Sequence, residues 1–138
     1  MPKFKNNKRS SSPFKSDQRK DTGGSTEHQC PHFSFEQMQR NTGYSVECCQ
    51  KDDRAALASK LYELSQITWA TIRGSGRHGV GCEKIERPSI KAPLPLSLTE
   101  DVSILALRFN GKAPMLGYRE GRIFHVLLLD WNFKAYSH

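Results

Sequence analysis

Three apolar segments in the last third of the chain show the clearest hydrophobic pattern. Residues 102–109, 114–119 and 122–130 are rich in β-branched and other apolar side chains. Asn110-Gly111 and Glu120-Gly121 separate the segments, and Asn-Gly is the dipeptide that best fits a type I′ hairpin turn. The pattern therefore predicts an antiparallel meander of three strands joined by tight turns.

The position of each strand within this meander follows from the residues that it carries. Segment 122–130 is apolar on both faces except for His125, which predicts a central strand. Pro114 cannot donate a backbone hydrogen bond, so it predicts that the second strand begins at a sheet edge. Beyond a turn at residues 130–132, residues 133–136 are predicted to return as a short fourth strand.

A helix is predicted ahead of the meander. Leu57, Leu61 and Leu64 recur at intervals that place them on one helical face. The carboxylates of Asp52-Asp53 suit the N-terminus, because they accept hydrogen bonds from first-turn N–H groups and face the positive end of the helix dipole. The pattern predicts a helix over residues 52–66.

Shorter elements complete a single domain. Alternating side chains predict a strand over residues 33–38, and residues 69–72 are predicted to form a second, shorter helix. The expected fold class is α+β, with two helices packed on a C-terminal antiparallel meander, in the order β-α-α-β-β-β(-β). The domain is predicted to span residues 30–138.

Residues 1–29 are predicted to form a disordered basic tail. They contain seven Lys and Arg against three Asp and Glu, and few apolar side chains. Such a segment cannot bury enough surface to offset its ordering entropy. It either adds affinity for a polyanion or only solubilises the chain. The whole chain carries a formal net charge of +7, which favours an anionic partner, and nucleic acid is the usual one.

The chain is expected to be cytoplasmic. No stretch approaches the roughly 20 apolar residues of a membrane span, and the N-terminus lacks an apolar secretory segment. Cysteines are then expected to be reduced thiols. Zinc is less favoured, because Cys30-Pro31-His32 and Cys48-Cys49 lack the usual spacing within zinc ligand pairs. No metal ion or other cofactor is expected.

The stretch GYREGRIFHVL, Gly117 to Leu127, is similar to the hairpin YRvGdyRviy of the RelE/ParE-type toxin superfamily. The element order of residues 33–138 resembles that superfamily, whereas the proline-rich connection at 88–95 departs from it. The resemblance implies an RNase that cuts mRNA, usually on the ribosome, and that a partner antitoxin protein inhibits. ParE-type members share the fold without cleaving RNA, so the fold alone leaves the activity open.

Cleavage of RNA through its 2′-hydroxyl requires a base, an acid and a cation that offsets charge on the phosphorane. Histidine suits both proton transfers near neutral pH, and arginine suits the charge. The predicted acid or base is His78 or His138, with Arg119 as a cation and Tyr136 in a positioning role. Exposure is expected for Tyr136 and His138 at the end of the meander, where the alternative is that both are simply solvated end residues.

Basic residues of the meander and of a glycine-rich loop at residues 73–81 are predicted to bind nucleic-acid phosphates. The three arginines of the meander, Arg108, Arg119 and Arg122, can form a phosphate-binding patch, or they can be solvated edge charges. Glycines let backbone N–H groups approach a phosphate, although such loops are also simple connectors. The predicted nucleic-acid ligands are Arg73, Arg77, Lys84, Arg108 and Arg122, with Arg119 beside them.

Two further features have more than one interpretation. For His125, a core histidine with a satisfied hydrogen bond is favoured over a catalytic one, unless its face of the sheet is open. Tyr118, Trp131 and Phe133 can stack on bases if they are exposed, although aromatic residues belong more often to a core.

The sequence thus predicts a toxin of a toxin–antitoxin-like system that acts as a metal-independent endoribonuclease. RNA and an antitoxin protein are its expected partners. The alternative is a non-catalytic nucleic-acid-binding or interaction protein of phage or mobile-element origin. In that alternative the arginines bind phosphate and no histidine titrates in function.

Overall fold

The computed structural model of the protein describes residues 25–75 and 80–137. The predicted tail up to residue 24, the segment 76–79 with Arg77 and His78, and the terminal His138 lie outside the described residues. The regular elements are β1 (His32–Ser34), α1 (Lys51–Leu64), α2 (Trp69–Ser75), β2 (Glu83–Ile85), β3 (Ile104–Asn110), β4 (Ala113–Glu120) and β5 (Ile123–Leu129), with 3₁₀ turns at Val46–Cys48 and Arg87–Ser89.

The strands of the described residues form one mixed sheet in the order β1-β5-β4-β3-β2. Strands β2 to β5 pair antiparallel in sequence order, and β1 adds to β5 in parallel, with Phe33 opposite Phe124. The predicted α+β class and the central position of the strand at Ile123–Leu129 are both confirmed. The prediction did not include the parallel pairing of β1 with β5, which makes the sheet mixed.

The two helices cover one face of the sheet, which we call the helix face. Leu57, Leu64, Trp69 and Ile72 are each at most 5% exposed, which confirms most of the predicted apolar stripe, while Leu61 is half-buried. Within the described residues, no helix combines the length and the apolar character that crossing a membrane requires. The sheet contributes Leu107, Phe109, Met115, Phe124, Val126 and Leu129 to the core on this face.

Asp53 fixes the beginning of α1. The Gln50 N–H donates a hydrogen bond to Asp53 Oδ2 at 3.0 Å, and the Gln50 side chain caps the helix in return. Asn110 Nδ2 donates to Asp53 Oδ1, also at 3.0 Å. The same buried carboxylate therefore caps the helix and ties it to the end of β3.

The opposite face of the sheet carries a second core, which irregular segments cover instead of helices. Residues 90–98 and the C-terminal residues 135–136 pack against it. The segment that connects β2 to β3 is held by Arg87 Nη2, which donates to the carbonyl oxygens of Thr99 (2.7 Å) and Val102 (2.9 Å). The buried residues of this core are Ile85, Ala92, Ile104, Ala106, Leu116, Leu127, Leu128, Ala135 and Tyr136.

A β-bulge in β5 brings two consecutive leucines to the second core. Leu116 pairs with Leu128 and Gly117 with Val126, so Leu127 is the extra residue on its strand. The bulge breaks the alternation of faces at this point. It explains how a run of apolar residues serves both cores without a regular period.

Pro114 lies in the central part of the sheet, so the prediction that it marks a sheet edge is wrong. It pairs with Arg108 beside an irregular step between Arg108 and Asn110. Proline is tolerated there because the bulge already interrupts the hydrogen bonds between the strands. The Pro114 carbonyl oxygen accepts a hydrogen bond from Asp130 N–H at 2.9 Å.

The predicted fourth strand over residues 133–136 is also wrong. Oδ1 of the fully buried Asp130 accepts hydrogen bonds from the N–H groups of Lys134 (2.6 Å) and Ala135 (2.8 Å). The side chain therefore satisfies amides that a strand offers to its neighbour, and the chain turns back over the sheet. Among the described residues, Tyr136 forms an isolated β-bridge with Ile90.

Both hairpin turns have glycine as the first central residue. Asn110 pairs with Ala113 and Glu120 with Ile123, so the turns are Gly111-Lys112 and Gly121-Arg122. In each turn only the glycine has a positive φ, 60° and 64° respectively. This is the pattern of a type II′ turn and not of the predicted type I′ turn at Asn110-Gly111.

Residues 25–29, which the sequence assigned to the tail, pack against the domain. Trp69 N–H donates to the carbonyl oxygen of Gln29 at 3.0 Å, and Ala70 N–H donates to that of Glu27 at 2.9 Å. The described fold therefore begins before residue 30.

Gly117 lies in β4 beside the β-bulge, and we expect Gly117→Ala to destabilise the fold. A Cβ atom here would collide with the His125 carbonyl oxygen and lie 2.8 Å from Phe124 Cζ. Urea unfolding should show a loss of about 3 kcal/mol, the upper end of the cost of overpacking. The matched control is Gly74→Ala in α2, where no atom lies within 4 Å, with an expected gain of about 0.5 kcal/mol. Equal stability of Gly117→Ala and the wild type contradicts this packing.

Candidate functional site

A cleft of about 230 Å³ opens at one end of the second core, and we call it the cationic cleft. Strands β2 to β4 contribute one side of it, and the C-terminal segment contributes the other. It is lined by Gly81, Glu83, Ala106, Arg108, Lys112, Pro114, Phe133, Tyr136 and Ser137.

Strand alternation places Arg108 in the cationic cleft. Ala106, two residues earlier, belongs to the second core, so Arg108 lies on the same face. Gly81 packs against its stem: a Cβ atom at Gly81 would lie 2.7 Å from both Cγ and Cδ of Arg108. Gly81 also has a φ of +85°, so glycine is required there on two grounds. The close backbone contact restricts where the guanidinium can lie.

Arg108 and Lys112 are the cations of the cleft. Arg108 is half-buried, and Lys112 is exposed in the β3–β4 turn. Neither side chain forms a hydrogen bond or an ion pair with another described residue. Glu83 also lines the cleft, beyond ion-pair distance of both. Two neighbouring cations without a counter-ion favour the binding of an anion.

Tyr136 is a buried residue of the second core. It is 7% exposed, so the expectation that it is exposed at the end of a strand is wrong. Its side chain lines the cationic cleft from the second core, next to Ser137. A truncation that removes Tyr136 would therefore damage the core as well as the cleft, and only His138 can be removed as a test of the terminus.

The predicted catalytic histidines are next to cleft residues in the sequence. Gly81 follows His78 by three positions, and Ser137 precedes His138 by one. His78, Arg77 and His138 lie outside the described residues, so their roles as acid, base and phosphate ligand stay predictions.

Arg119 is engaged within the fold on the helix face. Its Nη1 donates to Glu27 Oε2 (2.8 Å), its Nη2 to Thr26 Oγ1 (2.7 Å) and its Nε to the Gly121 carbonyl oxygen (3.2 Å). The guanidinium carbon also lies 4.1 Å from the centre of the Trp69 ring. This geometry indicates that Arg119 ties the β4–β5 turn to α2 and to residues 25–29.

The other predicted ligands that the structure describes do not line the cationic cleft. Arg73 Nε donates to Glu27 Oε1 at 2.7 Å, so Arg73 and Arg119 share one carboxylate. Arg122 Nε donates to the Cys30 carbonyl oxygen at 3.0 Å. Lys84 is exposed on the edge strand β2, where a lysine protects the sheet edge from pairing with another chain.

The structure therefore separates Arg108 from the other two meander arginines that the sequence placed in one patch with it. Arg108 lies on the face of the second core, whereas Arg119 lies over Trp69 on the helix face. Arg122 lies in the β4–β5 turn. Because successive strand residues alternate between the two faces of a sheet, arginines of neighbouring strands can lie on opposite faces.

His125 is buried on the face of the second core. It is 6% exposed, and its Nε2 lies 2.8 Å from Glu120 Oε1. Its ring stacks on that of Tyr118, with the ring centres 4.7 Å apart. Its Nδ1 has no hydrogen-bond partner among the described residues. The irregular segments cover this face, so the structure favours the interpretation of His125 as a core residue.

The cysteines form no disulfide, and among the described residues no group of three potential ligands converges as a metal site requires. Burial raises the pKa of the Cys49 thiol to about 11. Hydrogen bonds with the Ser45 side chain and backbone lower the pKa of the Cys48 thiol. The two adjacent cysteines thus have different environments, as expected when neighbouring side chains diverge.

Sequence reasoning missed Lys112 and Ser137 as cleft residues, and it included Gly81 only as part of the glycine-rich loop. Lys112 had a usable signal, because it lies in the hairpin turn that follows the strand of Arg108. Ser137 had none, since its contribution depends on the turn at Asp130 and on contact between distant segments.

In comparisons with known proteins, no family model, no curated protein and no solved structure matches the chain. The resemblance to the RelE/ParE-type superfamily therefore rests on the residues alone and stays a prediction.

We expect Glu27 to make the stability of the fold depend on pH. Hydrogen bonds from Arg119 and then from Arg73 hold the pKa of the Glu27 carboxyl below its usual value of 4.5. A lowered pKa in the folded state stabilises the fold above about pH 4.5, and this stabilisation is lost as the pH falls through the folded-state pKa.

Thermal unfolding of Glu27→Gln between neutral and acidic pH measures this contribution. The variant should be less stable than the wild type at neutral pH, and the difference should narrow in acid. Glu100→Gln, at an exposed position, is the matched control and should follow the wild type. A constant difference between Glu27→Gln and the wild type across this range contradicts the ion-pair network.

Proposed function

We propose that the chain is a cytoplasmic RNA-binding protein whose phosphate-binding site is the cationic cleft. The observation that carries the proposal is the pair Arg108 and Lys112, which line one cleft without a partner among the described residues. Arginine forms directed hydrogen bonds with phosphate oxygens, and lysine adds a mobile charge. The proposed mode is contact with the RNA backbone, which positions the nucleic acid without reading its sequence.

The charge of the whole chain supports this proposal. The formal net charge of +7 attracts a polyanion at long range, and the cleft then supplies local contacts. The arginines of the helix face contribute less to the contact, because Arg73 and Arg119 are paired with Glu27. The site is therefore expected on the face of the second core and not on the helices.

Removing one cleft cation tests the proposal. Arg108→Met keeps most of the stem that packs on Gly81 and removes the charge. We expect it to weaken RNA binding about tenfold, since a hydrogen bond to a charged group is worth about 1.5 kcal/mol. Lys112→Gln should also weaken binding, and each variant should lower the slope of log affinity against log salt by about one.

Fluorescence anisotropy with labelled single-stranded and duplex RNA over a range of salt concentrations gives the affinity and its salt dependence. Lys51→Gln, at the exposed start of α1, is the matched control and should change the affinity for either RNA by no more than about twofold. The proposal fails if Arg108→Met and Lys112→Gln bind both RNAs as the wild type does, or if Lys51→Gln weakens binding equally.

A second candidate function is an endoribonuclease toxin with an antitoxin partner, as the RelE/ParE resemblance implies. The observation that favours it is the position of Gly81 and Ser137, which line one cleft and lie within three sequence positions of His78 and His138. Metal-independent cleavage requires a bound phosphate and a group that transfers a proton, and in this candidate the cleft binds the phosphate and His78 or His138 transfers the proton.

Growth arrest on expression, and RNA cleavage by purified protein with and without ribosomes, test the second candidate. His78→Ala and deletion of His138 should each reduce cleavage at least about hundredfold if the residue is the acid or base. His28→Ala, on an exposed residue, is the matched control and should cleave at the wild-type rate. An intact RNA with the wild-type protein under all conditions contradicts catalysis and leaves the binding function standing.

A further inference from the structure

Phe133 combines two unusual properties at the rim of the cationic cleft. Its backbone φ is +62°, a left-handed conformation that bulky side chains rarely adopt. The residue is 40% exposed, although phenylalanine is among the residues most often buried. Both properties cost stability in the absence of a ligand, which makes the position a candidate for function.

The surrounding turn forces this conformation on Phe133. Its N–H donates to the Asp130 carbonyl oxygen at 3.1 Å, and the next two N–H groups, of Lys134 and Ala135, donate to Asp130 Oδ1. Because Asp130 is fully buried, these hydrogen bonds are protected from water and hold the turn in place. The ring is therefore presented by a rigid segment and not by a free end.

Phe133 is the accessible aromatic side chain of the cleft. The only other aromatic residue among its described lining is Tyr136, which is 7% exposed. The same lining includes the cations Arg108 and Lys112. A flat apolar ring beside two unpaired cations is the combination that binds single-stranded nucleic acid, in which the cations contact the backbone and a base stacks on the ring. Duplex bases are already stacked on each other and cannot use it.

We propose that Phe133 is a stacking site for one unpaired base, so that the cationic cleft selects single-stranded RNA over duplex RNA. The proposal rests on the proposed RNA-binding function and adds the form of the RNA. The stacking interaction is independent of the base, because every base has an aromatic face. The cleft therefore discriminates by strand structure and tolerates different sequences.

The test compares a roughly 12-nucleotide mixed-sequence single strand with a duplex of the same length, within the range of site sizes of single-strand binders. Wild-type protein should bind the single strand more tightly. Phe133→Gly, in which glycine adopts the positive φ without strain, should weaken single-strand binding about tenfold and leave duplex binding within about twofold. Phe133→Trp should keep the single-strand binding that Phe133→Gly loses, because tryptophan also offers an aromatic face for stacking.

Two variants separate the possible failures. Tyr62→Ala removes an aromatic residue that is 68% exposed on α1, and it should bind both RNAs like the wild type. If Phe133→Gly folds and binds the single strand as well as the wild type does, or loses both RNAs equally, the stacking proposal is overturned. If Arg108→Met leaves the binding of both RNAs unchanged, the RNA-binding function itself fails. A preference of the wild type for the duplex overturns the stacking proposal alone.

Discussion

The burial of β5 on both of its faces is the constraint on which the rest of the structure depends. Six of its seven residues are buried, and β1 and β4 occupy its two edges. The remaining chain must therefore cover apolar side chains above and below the sheet. Two helices cover one face, but the other is covered by irregular segments, whose amides need partners of their own. Two side chains provide such hydrogen-bond partners: Arg87 donates to backbone carbonyl oxygens, and Asp130 accepts from backbone N–H groups.

This second cover creates the candidate site. The turn at Asp130 brings Tyr136 back onto the sheet, and the space left beside it becomes the cationic cleft. Paired strands position Arg108, while the turn holds Phe133 in a left-handed backbone conformation that is rare for phenylalanine. A site built between a rigid sheet and a constrained turn is ordered before a ligand arrives, which reduces the entropy lost on binding.

The parts of the fold that follow local patterns were predictable from the sequence. The strand at Ile123–Leu129 and the stripe of Leu57 and Leu64 are such parts, because their side-chain periods report burial directly. The mistakes concern residues whose roles depend on distant partners. Pro114 is accepted in the centre of the sheet through a bulge, and Asp130 converts a predicted strand into a turn. The candidate site was predictable at Arg108 and Tyr136 and, as one of two interpretations, at Phe133. The alternation of side chains along a strand predicts which residues share a face of the sheet, but it does not show which face stays open.

We propose that RNA binds to the face of the second core, between the sheet and the C-terminal segment. Mapping of backbone amide chemical shifts during titration with single-stranded RNA tests this proposal directly, because it reports the binding surface without a mutation. We expect the largest changes at five residues that line the cationic cleft: Gly81, Arg108, Lys112, Phe133 and Ser137. Changes centred on α1 and α2, with the cleft residues unaffected, would contradict it.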